Sequence, residues 1–370
     1  MREVRQALRS PPGRALAAAV GVAMGALLVL VTFAGYHGLA AGVIAYTGQP
    51  GADLWVAPRG TDNLIRSSGL IPGHVVRDLG TLAGVAEAAP LLRGFVTASQ
   101  GDTDRGITLL AMAWRAPDGP GGPPALAAGR APHGPVEVVL DRAAAYRLGL
   151  GVGDPIFLNG RSLRVVGLSR DTNLLATQFV FLDVGGANAV VSYSGQASFV
   201  VLRLRPDADP AAVARAAHDR WDALVAWPPA AFVRNNLREV SQGFRPLQVL
   251  VISVGVLASA ILVLLLVQAL VQERRRDVAV LLALGAPLSG VAVAVLRHVT
   301  AVVLLGVATG AALAQVLAWG TDRWMPTLAL APRLGDVLVV ALLYVAMALV
   351  AAAGPLLRLR RIDPVEAFRP

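Results

Sequence analysis

Histidines, carboxylates, thiols and lysines carry most enzyme chemistry, and here they do not assemble into a site. The five histidines, His37, His74, His133, His218 and His298, are scattered without the spacing of metal ligands. The carboxylate pairs Asp102/Asp104 and Asp207/Asp209 fall in polar turns and read as solvated groups, not as an acid–base dyad. There is no G-x-S-x-G and no H-E-x-x-H. All 33 basic residues are arginine, so a phosphate-binding G-x-x-x-x-G-K loop is excluded. With no cysteine there is no disulfide, thiolate nucleophile or cysteine metal site. The expectation is a chain that is not an enzyme and binds no cofactor or metal itself.

Two other patterns carry information. The first is the segment Gln272–Pro287, a charged start followed by a short apolar run and a Gly-Ala stop. Glu273, Arg274, Arg275, Arg276 and Asp277 form a charged lip. Val278, Leu281, Leu282 and Gly285 follow at i, i+3, i+4 and i+7, one face of a helix. Such a helix suits docking in a groove on a partner, or it only turns the chain between two apolar stretches; the residues alone leave both readings open. The second pattern is small residues four apart: Gly21 and Gly25, Gly306 and Gly310, and also Gly38 and Gly42. This spacing lets helix backbones approach closely and suggests tight packing, extending to a dimer.

The elements that must position these patterns are apolar and long. The chain is 55% hydrophobic with net charge +9, and its mean hydropathy is +0.60. The apolarity sits in four blocks, 15–35, 247–271, 299–319 and 337–357, each close to the ~20 residues of a bilayer-spanning helix. Arg2, Arg5, Arg9 and Arg14 precede the first block. Arg274–Arg276 follow the second, and Arg358, Arg360, Arg361 and Arg369 follow the fourth. Over 46–240 arginines and acids nearly balance. The positive-inside rule then puts both termini and the 272–290 loop in the cytoplasm of a bacterial cell and the central domain outside. No basic patch alternates with aromatics, so nucleic acid is not an expected partner. The first block exceeds a signal-peptide core and reads as an uncleaved anchor.

The expected organisation is an integral membrane α-helical protein of four spans, one plus three, with a large α+β extracytoplasmic domain between the first and second. Its parts are an amphipathic cytoplasmic segment at 1–14, span one and stalk at 15–45, the outer domain at 46–240, and stalk end with span two at 241–271. A cytoplasmic loop at 272–290, span three at 291–319, an outer loop at 320–336, span four at 337–357 and a tail at 358–370 complete it. In the outer domain, strands are expected at 53–57, 85–93, 95–99, 107–113, 136–140, 155–158, 162–166, 179–182 and 199–204, with Asn159-Gly160 as a hairpin turn. Helices are expected at 74–82, 142–148 and 209–225, the last with Asp209 as N-cap and Pro210 at N1, and a stalk helix at 231–242. Pro117–Pro135, rich in Gly and Pro, reads as a loop.

These motifs resemble a family. The E-R-R-R-D-x-A-x-L-x-A-L-G-A run from Glu273 is similar to the cytoplasmic-loop signature of FtsX-like permeases, the MacB-type ABC transporter permeases. The ending Arg361-Ile-Asp-Pro-Val-Glu-Ala-Phe-Arg369 resembles the family's C-terminus, and Val139–Gly167 its outer core. The chain departs at Arg297-His298, where many relatives carry an acid. The resemblance implies a permease subunit that pairs with a second copy, most simply as a homodimer, and with a separate ABC ATPase subunit holding ATP and Mg. Residues 273–285 would match the coupling helix. It also implies ATP-driven export, extraction or mechanotransmission in the bacterial cytoplasmic membrane, with an extracytoplasmic adaptor or substrate protein as a further partner. The alternative is a membrane-anchored binding or signalling protein without an ATPase.

Overall fold

The computed structural model describes residues 12–66, 69–101, 106–170, 172–174, 177–191, 195–273, 288–325 and 327–359. The expected amphipathic segment before residue 12 and most of the 272–290 loop lie outside them. The chain forms two compact units. One holds residues 1–36, 245–320 and 330–370; the other holds 37–244 and 321–329.

The first unit is a helical bundle. Its helices belong to α1 (Pro12–Thr47), α6 (Pro229–Glu273), α7 (Leu288–Trp324) and α8 (Leu334–Leu359). Among the described residues these four are long and apolar enough to cross a bilayer. Their core is built mainly from β-branched and small side chains: Val22, Ala26, Val29, Val263, Val303, Val340 and Ala348. The opposite face of α1 shows Leu16, Val20, Met24 and Leu28, four residues apart and exposed. Apolar side chains turned outward at this spacing belong against lipid or another chain, not water.

The second unit is the α+β domain, and its strands explain themselves by alternation. Strand β1 (Leu54–Pro58), β12 (Phe199–Leu204), β13 (Leu224–Trp227) and the first half of β3 (Val85–Ser99) form an antiparallel sheet in the order β13-β1-β12-β3. Leu54, Val56, Val200 and Leu202 face one side, where α2 (Gly73–Leu79) and α5 (Pro210–Arg220) cover them with Val75, Val76, Leu79, Val213 and Ala217. Trp55, Ala57, Phe199 and Val201 face the other.

The second half of β3 enters a closed barrel. It pairs with β4 (Ile107–Trp114), β4 with β10 (Thr177–Asp183), β10 with β6 (Glu137–Asp141), and β6 with β8 (Arg161–Ser169). Strand β8 pairs with β7 (Pro155–Leu158), and β7 returns to β3 through Ala98 and Ser99. Leu109, Ala111, Val138, Leu140, Ile156, Val165, Val180 and Leu182 fill the barrel core. Helix α3 (Arg142–Leu148) and α4 (Val184–Val191) add Ala144, Ala145, Leu148 and Ala187. Alternate residues Leu110, Met112, Trp114, Val139, Phe179 and Phe181 point out of the barrel and meet the inner face of the sheet. The middle layer between barrel and sheet is therefore largely aromatic.

Three differences from the sequence expectation have physical reasons. The two strands expected at 85–93 and 95–99 are one 15-residue strand. Gly94 does not break it because that residue pairs with Ala111 of β4 and stays in the ladder. Helix α5 ends at Arg220 instead of 225: Trp221 turns extended, and Leu224 and Val225 pair with Pro58 and Ala57 as an edge strand. Within the Gly/Pro-rich 117–135 segment, Leu126–Gly129 forms β5, paired to the end of β8.

Candidate transmission site

The last turns of α1 and the first turns of α6 end in the aromatic middle layer. Tyr46 on α1 is 1% exposed, and its hydroxyl donates to Gly121 O at 2.8 Å. Its ring meets Phe179 edge-on at 5.4 Å and Phe181 at 5.8 Å, a geometry the ring quadrupoles favour. Phe232 on α6 is fully buried and meets Phe199 edge-on at 5.8 Å.

Trp55 joins the two. Its indole stacks on Phe232 at 4.7 Å with 19° between planes, and its Nε1–H donates to Thr47 O at the end of α1 at 3.1 Å. One side chain on the central strand of the sheet thus touches both helices arriving from the apolar stretches. Trp55 is fully buried between these two contacts.

The bundle positions the opposite ends of the same helices. Two faces of α1 are used. On one, a Cβ added at Gly21 would strike Leu262 of α6. One at Gly25 would strike Ser259 of α6 and come within 2.8 Å of Tyr344 Oη on α8 and 2.9 Å of Gly255 O. On the other face, α7 contributes the glycines. A Cβ at Gly306 would lie 2.8 Å from Ala19 O, and one at Gly310 would lie 2.7 Å from Ala23 O. Gly25, Gly306 and Gly310 therefore sit where helix backbones meet without room for a side chain, whereas Gly21 faces only the flexible end of the Leu262 side chain. Ser259 and Tyr344 are both fully buried, and both hydroxyls face Gly25.

The last turn of α7 and the loop that joins it to α8 supply contacts the sequence did not announce. Arg142 Nη2 donates to Asp322 Oδ1 at 2.7 Å, and Ala331 N donates to Ala34 O of α1 at 2.9 Å. Gly38 lies against the carbonyl of Ala329, with Ala329 C 2.6 Å from where its Cβ would be. Gly38 was noted as part of a small-residue spacing, but its use for docking a loop had no signal in that spacing.

Of the other site residues, Glu273 is the last residue of α6. Arg274, Arg275, Arg276, Asp277, Val278, Leu281, Leu282 and Gly285 lie outside the described residues. Arg297 and His298 lie within α7.

Four helices long and apolar enough to cross a membrane, with a large α+β domain inserted in the chain between the first and second, define a class, and comparison with known proteins gives the family. Residues 15–220 match the MacB-like periplasmic core domain, and residues 249–364 match the FtsX-like permease C-terminal domain. The chain is 28% identical over 329 residues to an uncharacterized ABC transporter permease of Mycobacterium tuberculosis, covering 86% of this chain and 84% of that one. It is 30% identical over 292 residues to another from Mycobacterium bovis, covering 77% and 75%. The periplasmic region of MacB from Actinobacillus actinomycetemcomitans aligns at 12% identity with a TM-score of 0.39, over 50% of this chain and 92% of that one. The chain belongs to the FtsX/MacB-like family of ABC transporter permeases, multi-pass membrane subunits of a kind that is generally not itself enzymatic.

Proposed function

We propose that the chain is the transmembrane subunit of an ATP-driven transporter that passes ATPase motion to its outer domain. A separate ABC ATPase subunit binds ATP and Mg and docks on residues 273–285. Two copies of the chain form the membrane dimer, with the exposed apolar faces of the spans against each other and against lipid. Both termini and the 272–290 loop lie in the cytoplasm, as the arginine placement favours. The outer domain then acts on a substrate or adaptor protein outside, in export, extraction or mechanical work.

The observation that carries this reading is the meeting of both stalks at Trp55. A displacement of α1 against α6 has to act on the seam between sheet and barrel, because both helix ends are built into it. An anchored receptor needs a tether but not two helix ends packed against one buried indole.

The test is co-purification of the tagged full chain from its native membrane, with an ATPase assay, for wild type and for Leu281→Asp, Leu282→Asp. Recovery of an ATPase with wild type and its loss with the variant supports the docking role. Failure to recover any ATPase sinks the reading and leaves the membrane-anchored binding protein in its place.

A further inference from the structure

Loop 61–66 is hydrogen-bonded to the second stalk, to the long strand β3 and, through Thr61 O, to Trp227 Nε1 of β13 at 3.1 Å. On the stalk, Asn236 is 2% exposed. Its Oδ1 accepts from Leu64 N at 2.8 Å, and its Nδ2 donates to Phe232 O at 2.8 Å. One turn further along α6, Glu239 pairs with Arg66 at 2.6 Å. Within the loop, Asn63 Oδ1 accepts from Ile65 N and Arg66 N at 2.9 and 2.8 Å, which holds the turn as a unit. On the far side, Arg93 Nη1 donates to Leu64 O at 2.5 Å and to Ile65 O at 2.6 Å. The same residue Leu64 therefore takes its N–H bond from the stalk side and its C=O bond from the strand side.

Arg93 also sits at the one place on β3 where its allegiance changes. Up to Leu91 the strand pairs with β12, opposite Phe199. From Leu92 onward it pairs with β4, opposite Ala113. Arg93 N is held by Ser198 Oγ at 3.0 Å, just before β12 begins. A pull on Leu64 is thus delivered where the sheet hands over to the barrel.

We propose that Asn236, Leu64 and Arg93 form a relay carrying movement of the second stalk to the barrel, distinct from the path through Trp55 into the sheet. It rests on the transporter reading above. Asn236 and Arg93 are positioning residues: they touch no substrate and act through the loop between them. Charge-assisted bonds from a guanidinium to two carbonyls are short and fixed in direction, suited to transmitting a displacement instead of absorbing it.

The experiment uses the full chain in its native membrane with its co-purified ATPase. The natural sequence has no cysteine, so Ser162→Cys on the barrel and Ala216→Cys on α5 supply a spin-label pair. The distance between labels is measured with and without ATP. Wild type is expected to show an ATP-dependent change. Arg93→Met and Asn236→Leu are expected to lose it while ATP hydrolysis continues, and Arg93→Lys, which keeps a cationic donor for both carbonyls, to restore it. Thermal unfolding of each variant separates a lost relay from a lost fold, and Asn236→Leu supplies the test should Arg93→Met not fold. An unaltered change in a folded Arg93→Met or Asn236→Leu overturns the relay. So does a wild type whose bound ATPase turns over with no change in distance, and that result leaves the transporter reading standing. Absence of any ATPase defeats the transporter reading and the relay together.

Discussion

Gly25 sits at a crossing of three helices, where the neighbouring atoms are two hydroxyls and a carbonyl. Gly25→Ala is therefore expected to destabilise the bundle by about 1–3 kcal/mol through forced separation of α1 from α6 and α8, despite alanine's higher helix propensity. Thermal unfolding in detergent measures this; an unchanged midpoint would show that the backbones have slack. Asp141 is a different kind of residue. It caps α3 by accepting from Ala143 N at 2.8 Å and from Ala144 N at 3.3 Å, and Thr172 donates to its other oxygen at 2.6 Å. Burial nevertheless pushes its carboxyl above the ordinary range, the hydrogen bonds offsetting only part of that. A raised acid contributes stability that is full below the unfolded value of about 3.9 and is lost as pH rises through the folded value. Glu137 runs the opposite way. The Arg130 side chain and the His133 N–H hold it down to about 2, so its contribution is present above the unfolded value of about 4.3 and disappears as pH falls toward 2. In a pH series of unfolding midpoints, Asp141→Asn is expected to gain on wild type as pH rises past 4. Glu137→Gln is expected to flatten the acid limb below 4. The reverse order would refute both assignments.

Among the elements, the stalk ends matter most. Phe232→Ala removes a ring stacked on Trp55 and edge-on to Phe199, and is expected to cost about 3–5 kcal/mol of outer-domain stability. Tyr46→Phe keeps the ring contacts but strands Gly121 O, and is expected to cost about 1 kcal/mol. Chemical denaturation of the full chain, followed by tryptophan fluorescence, distinguishes the two; equal effects would mean that the aromatic layer is not close-packed. Legibility in the sequence followed the same division. Elements with their own local signals were readable: the start of α5 with its Asp209 cap and Pro210, the Asn159-Gly160 hairpin, and the apolar run Phe199–Leu204. The edge strands β5 and β13 were not, since each exists only because a distant strand offers a ladder. The stalk-end residues were invisible for a related reason. Tyr46, Trp55 and Phe232 are ordinary aromatics in sequence, and only the fold brings them together. The packing glycines could be listed from their spacing, but not their partners.

For the whole molecule, the arrangement of arginines gives a direct test of topology. Because the chain lacks cysteine, one introduced at Gly134, where a side chain meets nothing within 4 Å, reports which side of the membrane the outer domain occupies. A membrane-impermeant maleimide is expected to label Gly134→Cys from outside intact cells and to leave a cysteine placed at Arg369 unlabelled until the cells are opened. Labelling of Arg369→Cys from outside would invert the orientation and with it the docking of an ATPase on 273–285.

The undivided strand β3 has a consequence for how the outer domain comes apart. Its first half pairs with β12 of the antiparallel sheet and its second half with β4 of the barrel, so the two ladders share one continuous backbone across Leu91 and Leu92. The two pieces are expected to open as one cooperative unit in native-state hydrogen exchange, with the amides of β12 and β4 released at a common free energy. A gene fragment that begins after Ser99 lacks the half of β3 that joins β4 to β7, and is expected to aggregate through those two exposed edges.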